Sequence, residues 1–208
     1  MFTTSFRNTV LGTVGGFLGL IKTITDFRAG TVTEAAYTGY GTRPAVTWGA
    51  TAATSPIGGR QIANSGVVTF PASSSANEDQ IAWGVWTAAT GGTLQAIGFL
   101  DSNPPLVGTG DTANLITTQT AHGLITDERV FVLAAPGAVL PAGLAENTAY
   151  FVLASGLTTT AFKLSTTSGG AAVTITAGGA ALFMPYRAVT VANGATPSVA
   201  IGAVVVQL

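Results

Sequence analysis

Short runs of β-branched and aromatic residues fill the chain from Thr31 onward, each broken after a few positions by glycine, proline, asparagine or serine. Runs of this kind are typical of strands, and the residues between them are typical of turns. The predicted strands are residues 43–49, 61–70, 81–88, 94–100, 114–118, 129–133, 149–154, 161–165, 173–176, 186–191 and 198–207. One hairpin is predicted from Thr87, where Gly91 and Gly92 supply the positive φ of its turn. Many short strands at regular spacing predict a mainly β fold, a β-sandwich or β-barrel.

The first thirty residues follow a different pattern. Apolar residues recur there at the spacing of one helical face, and four glycines form a second stripe. Each glycine costs a helix about 0.8–1 kcal/mol, but a glycine stripe also lets another backbone approach closely. We therefore expect an N-terminal helix or arm that packs against a partner. The candidate interface residues are Phe2, Phe6, Val10, Val14, Phe17, Leu18, Ile21 and Trp86.

Prolines mark two seams in the β region, at Pro104-Pro105 and at Pro185. The segment between them is rich in Thr, Ala and Gly and has its own set of strands, and surface loops tolerate such insertions. The sequence thus predicts three parts: an N-terminal helix or arm (1–30), a discontinuous β body (31–103 plus 185–208) and an inserted small β domain (104–184).

Charge is scarce, which limits the possible partners. Only 8% of residues are charged, against roughly 25% in an average soluble domain, and the net charge is −1. No basic patch is dense enough to bind a phosphate backbone, and no apolar run reaches the ~18–20 residues of a membrane span. The chain has no cysteine and one histidine, which excludes disulfides and the usual zinc sites, and we expect no cofactor. The low charge predicts a surface covered by other subunits.

The single histidine, His122, precedes Asp127, Glu128 and Arg129. A general base needs a nucleophile or a held water, and no nucleophile-elbow motif or second acid pair occurs. His-Gly is instead a turn signal, so we predict a turn histidine and no enzyme. Trp83 and Trp86 fall on opposite faces of a strand; one is expected in the core and the other exposed, as an interface anchor or a sugar-stacking platform.

Two resemblances give these patterns a context. The stretches "GYGTRPAVTWGA", "IANSGVVTFPAS", "AWGVWTAATGGTLQAIGFL" and "YRAVTVANGATPSVAIGAVVVQL" resemble small virion structural proteins of tailed bacteriophages, labelled variously as tail-fibre or decoration proteins. Pro44 departs from that pattern, because proline removes a donor from the ladder of a central strand. "TAHGLITDERVFVL", "LPAGLAENTAYFVL" and "AFKLSTTSGGAAV" resemble a small β-barrel module of phage proteins, similar to the FCCH-type domain of ubiquitin-activating enzymes, which carries no catalytic residue.

The first resemblance implies a virion location. The interpretation that we favour is a capsid decoration (cement) protein on the phage head surface. Such a protein is expected to bind the major capsid protein and to associate with itself as a homotrimer. The alternative is a tail component, an adaptor or a fibre base, bound to other tail proteins. A glycan-binding module with an exposed tryptophan is the third expectation.

Overall fold

A computed structural model describes residues 10–50 and 61–207, and within these ranges the chain is almost entirely β. Apart from a single helical turn at residues 10–12, the regular elements of the described residues are strands. They are β1 (Phe17–Asp26), β2 (Thr31–Glu34), β3 (Gln61–Ala63), β4 (Val68–Thr69), β5 (Glu78–Gln80), β6 (Ala82–Trp86), β7 (Leu94–Phe99), β8 (Leu106–Gly110), β9 (Ile116–Thr118), β10 (Arg129–Ala134), β11 (Thr148–Leu153), β12 (Ala161–Ser165), β13 (Gly179–Tyr186), β14 (Val189–Val191), β15 (Ser198–Val199) and β16 (Val205–Gln207). The predicted fold class, mainly β, is confirmed.

The chain divides into two compact units. Unit 1 contains the described parts of Met1–Leu100 and Ala188–Leu208, and unit 2 is Asp101–Arg187. Pro185, predicted to mark a seam, lies inside β13 opposite Val130. The pairing of β13 with β8 ends at Phe183, so β13 has one neighbouring strand at Pro185, where a missing N–H is tolerated.

The N-terminal helix prediction is wrong for Phe17–Asp26, which form strand β1. This strand pairs antiparallel with β6 and with β2. Gly19 faces Gly84 across the ladder, and a Cβ on either would lie within about 2.6 Å of the Trp86 ring. Gly19, which looks like part of a helical glycine stripe, therefore makes room for an indole in a sheet. Leu18 and Leu20 point the other way, into the core, with the two-residue period of a strand.

Unit 1 is built on the sheet β2-β1-β6-β7 and on three two-stranded ladders, β3–β16, β4–β15 and β5–β14. Each ladder joins an early strand to one from the last twenty residues. Its core includes Val68, Phe70, Val85, Val191 and Val204. Trp83, half-buried, packs on the same core.

Asn64 links the early and late segments of unit 1 through a buried amide. Its Nδ2 donates to Gly66 O and Ala200 O at 2.8 Å, and its Oδ1 accepts from Val204 N at 2.9 Å. The three hydrogen bonds of this buried amide hold the turn at Gly66 against the segment from Ala200 to Val204.

The predicted hairpin after β6 is confirmed. Gly91 and Gly92 have φ of 60° and 71°, and Thr87 N donates to Thr93 O at 3.1 Å. The predicted strand at residues 43–49 is wrong: the structure forms only isolated bridges there, at Ala45 and Trp48. Pro44, which lacks an N–H, explains why a continuous ladder does not form.

Unit 2 is a closed barrel of six strands in the order β10-β11-β12-β9-β8-β13, in which β13 pairs back onto β10. Its core includes Ile116, Val130, Val132, Phe162 and Phe183, each essentially inaccessible to solvent. The predicted strand at residues 173–176 is wrong, because that segment is irregular and the strand forms at Gly179–Tyr186 instead. A closed barrel has no free sheet edge, which suits a chain with few charges to protect one.

Candidate functional site

The eight candidate interface residues do not share one surface. Phe2 and Phe6 lie outside the described residues. The interface prediction is corrected for Leu18, Ile21 and Trp86, which are buried within the chain itself, Trp86 to 4% exposure. Their burial comes from β1 being a central strand rather than a free helix. The other three, Val10, Val14 and Phe17, are half-buried.

Val10 and Val14 line an open groove in unit 1. It has a volume of about 260 Å³. Its walls are Val10, Leu11, Thr13, Val14, Gln95 and Val206. Leu11 is buried and forms the floor, whereas Thr13 and Gln95 are exposed at the rim. None of the described lining residues is charged, so they offer apolar contact with a polar edge.

Local sequence builds the wall of this groove. In the turn at residues 10–12, Thr13 N donates to Val10 O at 3.1 Å and the Thr13 hydroxyl donates to the same carbonyl at 2.8 Å. Gly15 ends the segment: its N–H donates to Gln95 Oε1, and a Cβ there would lie 2.1 Å from the Trp86 carbonyl oxygen. Only glycine fits this close approach, so the groove wall is fixed against β7.

A second cluster surrounds Arg43, which is 8% exposed. Its Nε donates to Glu34 Oε2 at 2.8 Å, and its Nη2 forms an ion pair with Glu34 Oε1. Its Nη1 donates to the carbonyls of Ala88 and Gly91 at 2.8 and 2.7 Å, and the guanidinium lies 4.2 Å from the Trp86 ring centroid. The planar fork of arginine suits such an arrangement. The cluster thus ties β2 to the β6–β7 hairpin.

Tyr40 extends the cluster to β1. Its hydroxyl accepts from Leu20 N at 3.1 Å and donates to Glu34 Oε2 at 3.2 Å. Burial raises the pKa of Tyr40 strongly, and the nearby Glu34 carboxylate raises it further. Burial also raises the pKa of Tyr37, with Glu78 adding to the effect. A small polar pocket of about 290 Å³ opens beside Arg43, but both Glu34 oxygens and all three guanidinium nitrogens already have partners in the chain. This arrangement stabilises unit 1 and leaves no free reactive group.

Sequence reasoning missed this cluster. The sequence did contain one signal for it, an arginine beside a proline in a chain with few charges. A charged residue in such an apolar context is usually paired when it is buried, so Arg43 could have been predicted to have an acidic partner. Its partner Glu34 lies on β2, in a stretch between residues 31 and 42 where the sequence analysis predicts no strand.

Neither tryptophan of β6 forms an exposed platform. The Trp86 ring lies over Gly19 and Gly84, beneath Arg43. The Trp83 ring covers Gly98, where an added Cβ would lie 2.3 Å from its Cζ2. The prediction that one of them lies in the core is confirmed for Trp86, whereas Trp83 is half-buried against the same unit rather than exposed.

His122 is a turn residue, as predicted. Its Nδ1 accepts from Leu124 N at 3.0 Å, its Nε2 faces Ala161 O at 3.4 Å, and Gly123 has φ 65°. The ring is 5% exposed and packs edge-on against Phe162, with centroids 5.2 Å apart. Both ring nitrogens are therefore directed at backbone groups.

The acidic residues after His122 also have structural partners. Glu128 is buried; its Oε2 accepts from Ile125 N at 3.1 Å, and its Oε1 accepts from Asn103 at 3.2 Å and lies 3.5 Å from Arg187 Nη2. Asp127 has φ 63° and accepts from the Ser168 hydroxyl at 2.9 Å. The Glu128 carboxylate closes a local turn of unit 2, and the Asp127 carboxylate joins its turn to Ser168, 41 residues further along the chain.

Comparisons with known proteins supply the identity that these sites do not. Within the described ranges, no helix is long and apolar enough to cross a membrane. No curated protein and no solved structure matches the chain. One family model, described as podophage GP4 fiber I protein gp80, matches residues 6–122, more than half of the chain. The matched part includes the groove wall at residues 10–14, the Arg43 cluster and His122. The chain therefore belongs to the podophage GP4 fiber I protein gp80 family and is a bacteriophage structural protein.

Proposed function

We propose that this protein is a structural component of a podophage tail fibre, and that it acts by self-association rather than by chemistry. The observation that carries the proposal is the family match over residues 6–122. It favours the tail alternative over capsid decoration, which stays a prediction without support from the comparisons.

The side chains that resembled a reactive site support a structural role. Arg43, His122 and Glu128 are buried, and each is held by groups of its own unit. A general base must lie within hydrogen-bond reach of a substrate proton. The His122 imidazole is buried and both of its nitrogens face backbone groups, so it does not reach a substrate in this conformation. These residues stabilise turns and strand pairs.

Self-association as a homotrimer is the second part of the proposal. The chain has 8% charged residues, so a bare surface would resist aggregation poorly. Closed rotational symmetry covers such surfaces with copies of the same chain. The groove at Val10 and Val14, whose described lining residues carry no charge, is a place where one copy can receive another.

We further propose that unit 2 is a packing module of the kind seen in ubiquitin-activating enzymes. Residues of the quoted motifs on strands β11 and β12 support this interpretation, because they belong to the core of a closed barrel: Tyr150, Val152, Phe162 and Leu164. Such a module positions its neighbours and binds no cofactor.

Copy number tests the proposed location. The ratio of this chain to the major capsid protein, measured by quantitative mass spectrometry of purified particles, is expected to be that of a small symmetric set. Electron microscopy with a label on unit 2 should then mark the tail. A ratio near one to one, with label over the head, would overturn the tail assignment in favour of decoration.

A further inference from the structure

We propose that residues 123–126 of unit 2 form an acid-sensitive flap, which the side chains of His122 and Glu128 hold closed only while they are unprotonated. The flap lies in the connection between β9 and β10. It is a conformational device within unit 2, so it depends neither on the proposed tail location nor on self-association.

Two consecutive backbone amides of the flap donate to titratable side chains. Leu124 N donates to His122 Nδ1 at 3.0 Å, and Ile125 N donates to Glu128 Oε2 at 3.1 Å. An imidazole nitrogen accepts a hydrogen bond only while it carries no proton, and a protonated carboxyl becomes a donor at one of its oxygens. Protonation therefore acts directly on the bonds that hold Leu124 and Ile125.

A proton on His122 Nδ1 would meet another donor. The Nδ1 atom faces the Leu124 N–H and Nε2 faces Ala161 O at 3.4 Å, so the closed flap fits the neutral ring with its proton on Nε2. The ring is buried and packs edge-on against Phe162. Because a buried charge without a partner is costly, protonation of His122 favours release of Leu124.

Glu128 is in a corresponding position. It is buried, and its Oε2 faces the Ile125 N–H, whereas its Oε1 accepts from Asn103 Nδ2 at 3.2 Å and lies 3.5 Å from Arg187 Nη2. Both oxygens thus face donors. A proton on either oxygen displaces one of these contacts, so protonation of Glu128 favours release of Ile125.

Other charged side chains on the neighbouring described elements have contacts of their own. Asp127 also titrates in acid, but its bond is to Ser168 rather than to the flap amides, and tyrosines stay protonated throughout the acid range. The two cations beside the flap are Arg129, which lies 5.4 Å from the Phe151 ring centroid, and Lys163, whose side-chain carbons lie over Gly156.

Backbone bonds, which do not titrate in this range, hold both ends of the flap. His122 N donates to Thr159 O at 3.1 Å, and Asp127 N donates to Val152 O at 2.8 Å. Acid should therefore open residues 123–126 and leave the flanking segments in place.

Leu124 is the flap residue that enters the barrel core. It is buried and packs in the cluster that includes Ile116 and Phe162. Once the two flap amides are released, Leu124 can leave this cluster. A fall in pH is thereby converted into newly exposed apolar surface on unit 2.

The direction of the effect follows from which state takes up the protons. The open flap accepts protons at both side chains and the closed flap does not, so acid stabilises the open form. A free imidazole titrates at about pH 6.5 and a free carboxyl at about pH 4, so acid should release Leu124 before Ile125.

Hydrogen exchange of the full chain, followed by NMR, tests the flap. Protection of the Leu124 amide, corrected for intrinsic exchange, should fall at least about tenfold between about pH 7.5 and about pH 5, because each pH unit below the titration of the open form favours opening by up to about tenfold. Ile125 should follow at lower pH, toward about pH 4. Unchanged protection at Leu124 would overturn the proposal.

The amides of His122, Asp127 and Val152 are internal references, because their partners are backbone carbonyls. Their protection should stay constant over the range in which Leu124 loses it. An equal loss at Val152 and Leu124 would show that unit 2 unfolds as a whole, and the flap would be overturned.

His122→Asn is the matched variant, because asparagine Oδ1 takes the place of Nδ1 and accepts a hydrogen bond without titrating. Protection at Leu124 should then be independent of pH over the same range, even though the lost ring contact with Phe162 lowers the stability of unit 2. A persisting loss in acid would assign the effect to another group and overturn the role of His122. If this variant does not fold, the comparison of Leu124 with Val152 in the natural chain still decides.

Glu128→Gln keeps the shape of the side chain and places an NH2 group where a carboxylate oxygen faced a donor. It should speed exchange at Ile125 roughly tenfold already at neutral pH, the equivalent of one lost hydrogen bond. Unchanged protection at Ile125 would overturn the part of Glu128 in holding the flap. None of these outcomes bears on copy number in the particle, so their failure leaves the tail assignment intact.

Discussion

Replacing Arg43 with methionine should destabilise unit 1 by about 2–4 kcal/mol. The substitution keeps an unbranched side chain over the Trp86 ring and removes the guanidinium. The substitution removes the ion pair to Glu34, two hydrogen bonds to hairpin carbonyls at 2.7–2.8 Å and the guanidinium contact at 4.2 Å from the Trp86 ring centroid. Removing one partner of a buried pair costs about 3–5 kcal/mol, and the lower range here reflects the 27% exposure of the Glu34 side chain, which water can partly solvate.

Tryptophan fluorescence makes the assay specific for unit 1. All three tryptophans, at positions 48, 83 and 86, lie in that unit, so urea unfolding followed by their emission reports on it alone. With a urea dependence of about 2 kcal/mol per molar, the middle of the usual range, the midpoint should fall by about 1–2 M. Glu34→Gln should cost less in the Arg43→Met background than in the natural chain, because the two residues are coupled.

Val67→Met is the control, since it places the same methionine at a position of the same unit that is 59% exposed. It should change the unfolding free energy by less than about 0.5 kcal/mol. A loss at Arg43 no larger than at Val67 would refute the reasoning and show that the cluster is equivalent to a solvated surface pair.

Three further predictions follow from buried polar groups. Gln80 is fully buried, and its side-chain amide has no hydrogen-bond partner among the described residues. Gln80→Met should therefore raise the free energy of unfolding of unit 1, measured in urea, by about 1–3 kcal/mol. A loss of stability above about 1 kcal/mol would instead mean that the amide has hydrogen-bond partners. His122→Ala should speed hydrogen exchange at the Leu124 amide, whereas unchanged protection there would show that the imidazole does not hold the turn. Because the pKa of Tyr40 is raised in the folded state, the unfolded chain loses its phenolic proton first above pH 10, so stability should fall with rising pH by up to about 1.4 kcal/mol per unit. Tyr40→Phe should make this alkaline slope shallower, and an identical slope in the variant would assign it to other groups.

Some elements could be predicted because the signal is local. The β6–β7 hairpin follows from Gly91 and Gly92, which alone allow its turn, and the His122 turn follows from His-Gly. The β character of the chain follows from its turn residues and β-branched runs. In these cases neighbouring residues determine the conformation.

Other elements depended on distant partners. Residues 17–26 satisfy a helical spacing as well as a strand, and only pairing with β6 and the fit of Trp86 over Gly19 and Gly84 favour the strand. The Arg43 cluster needs β2, the hairpin and Tyr40 to meet, which no spacing in the sequence records.

The sequence by itself determined that this protein is a charge-poor, turn-rich β chain without cysteine or a reactive motif, because composition and turn chemistry act over a few residues. Tertiary structure decided which apolar residues remain available to a partner. Leu18, Ile21 and Trp86 are enclosed by strands from elsewhere in the chain, and Val10 and Val14 line an open groove. The physical reason is that burial depends on which segments meet across a sheet, and strand pairing over long sequence separations is fixed by packing rather than by local preference.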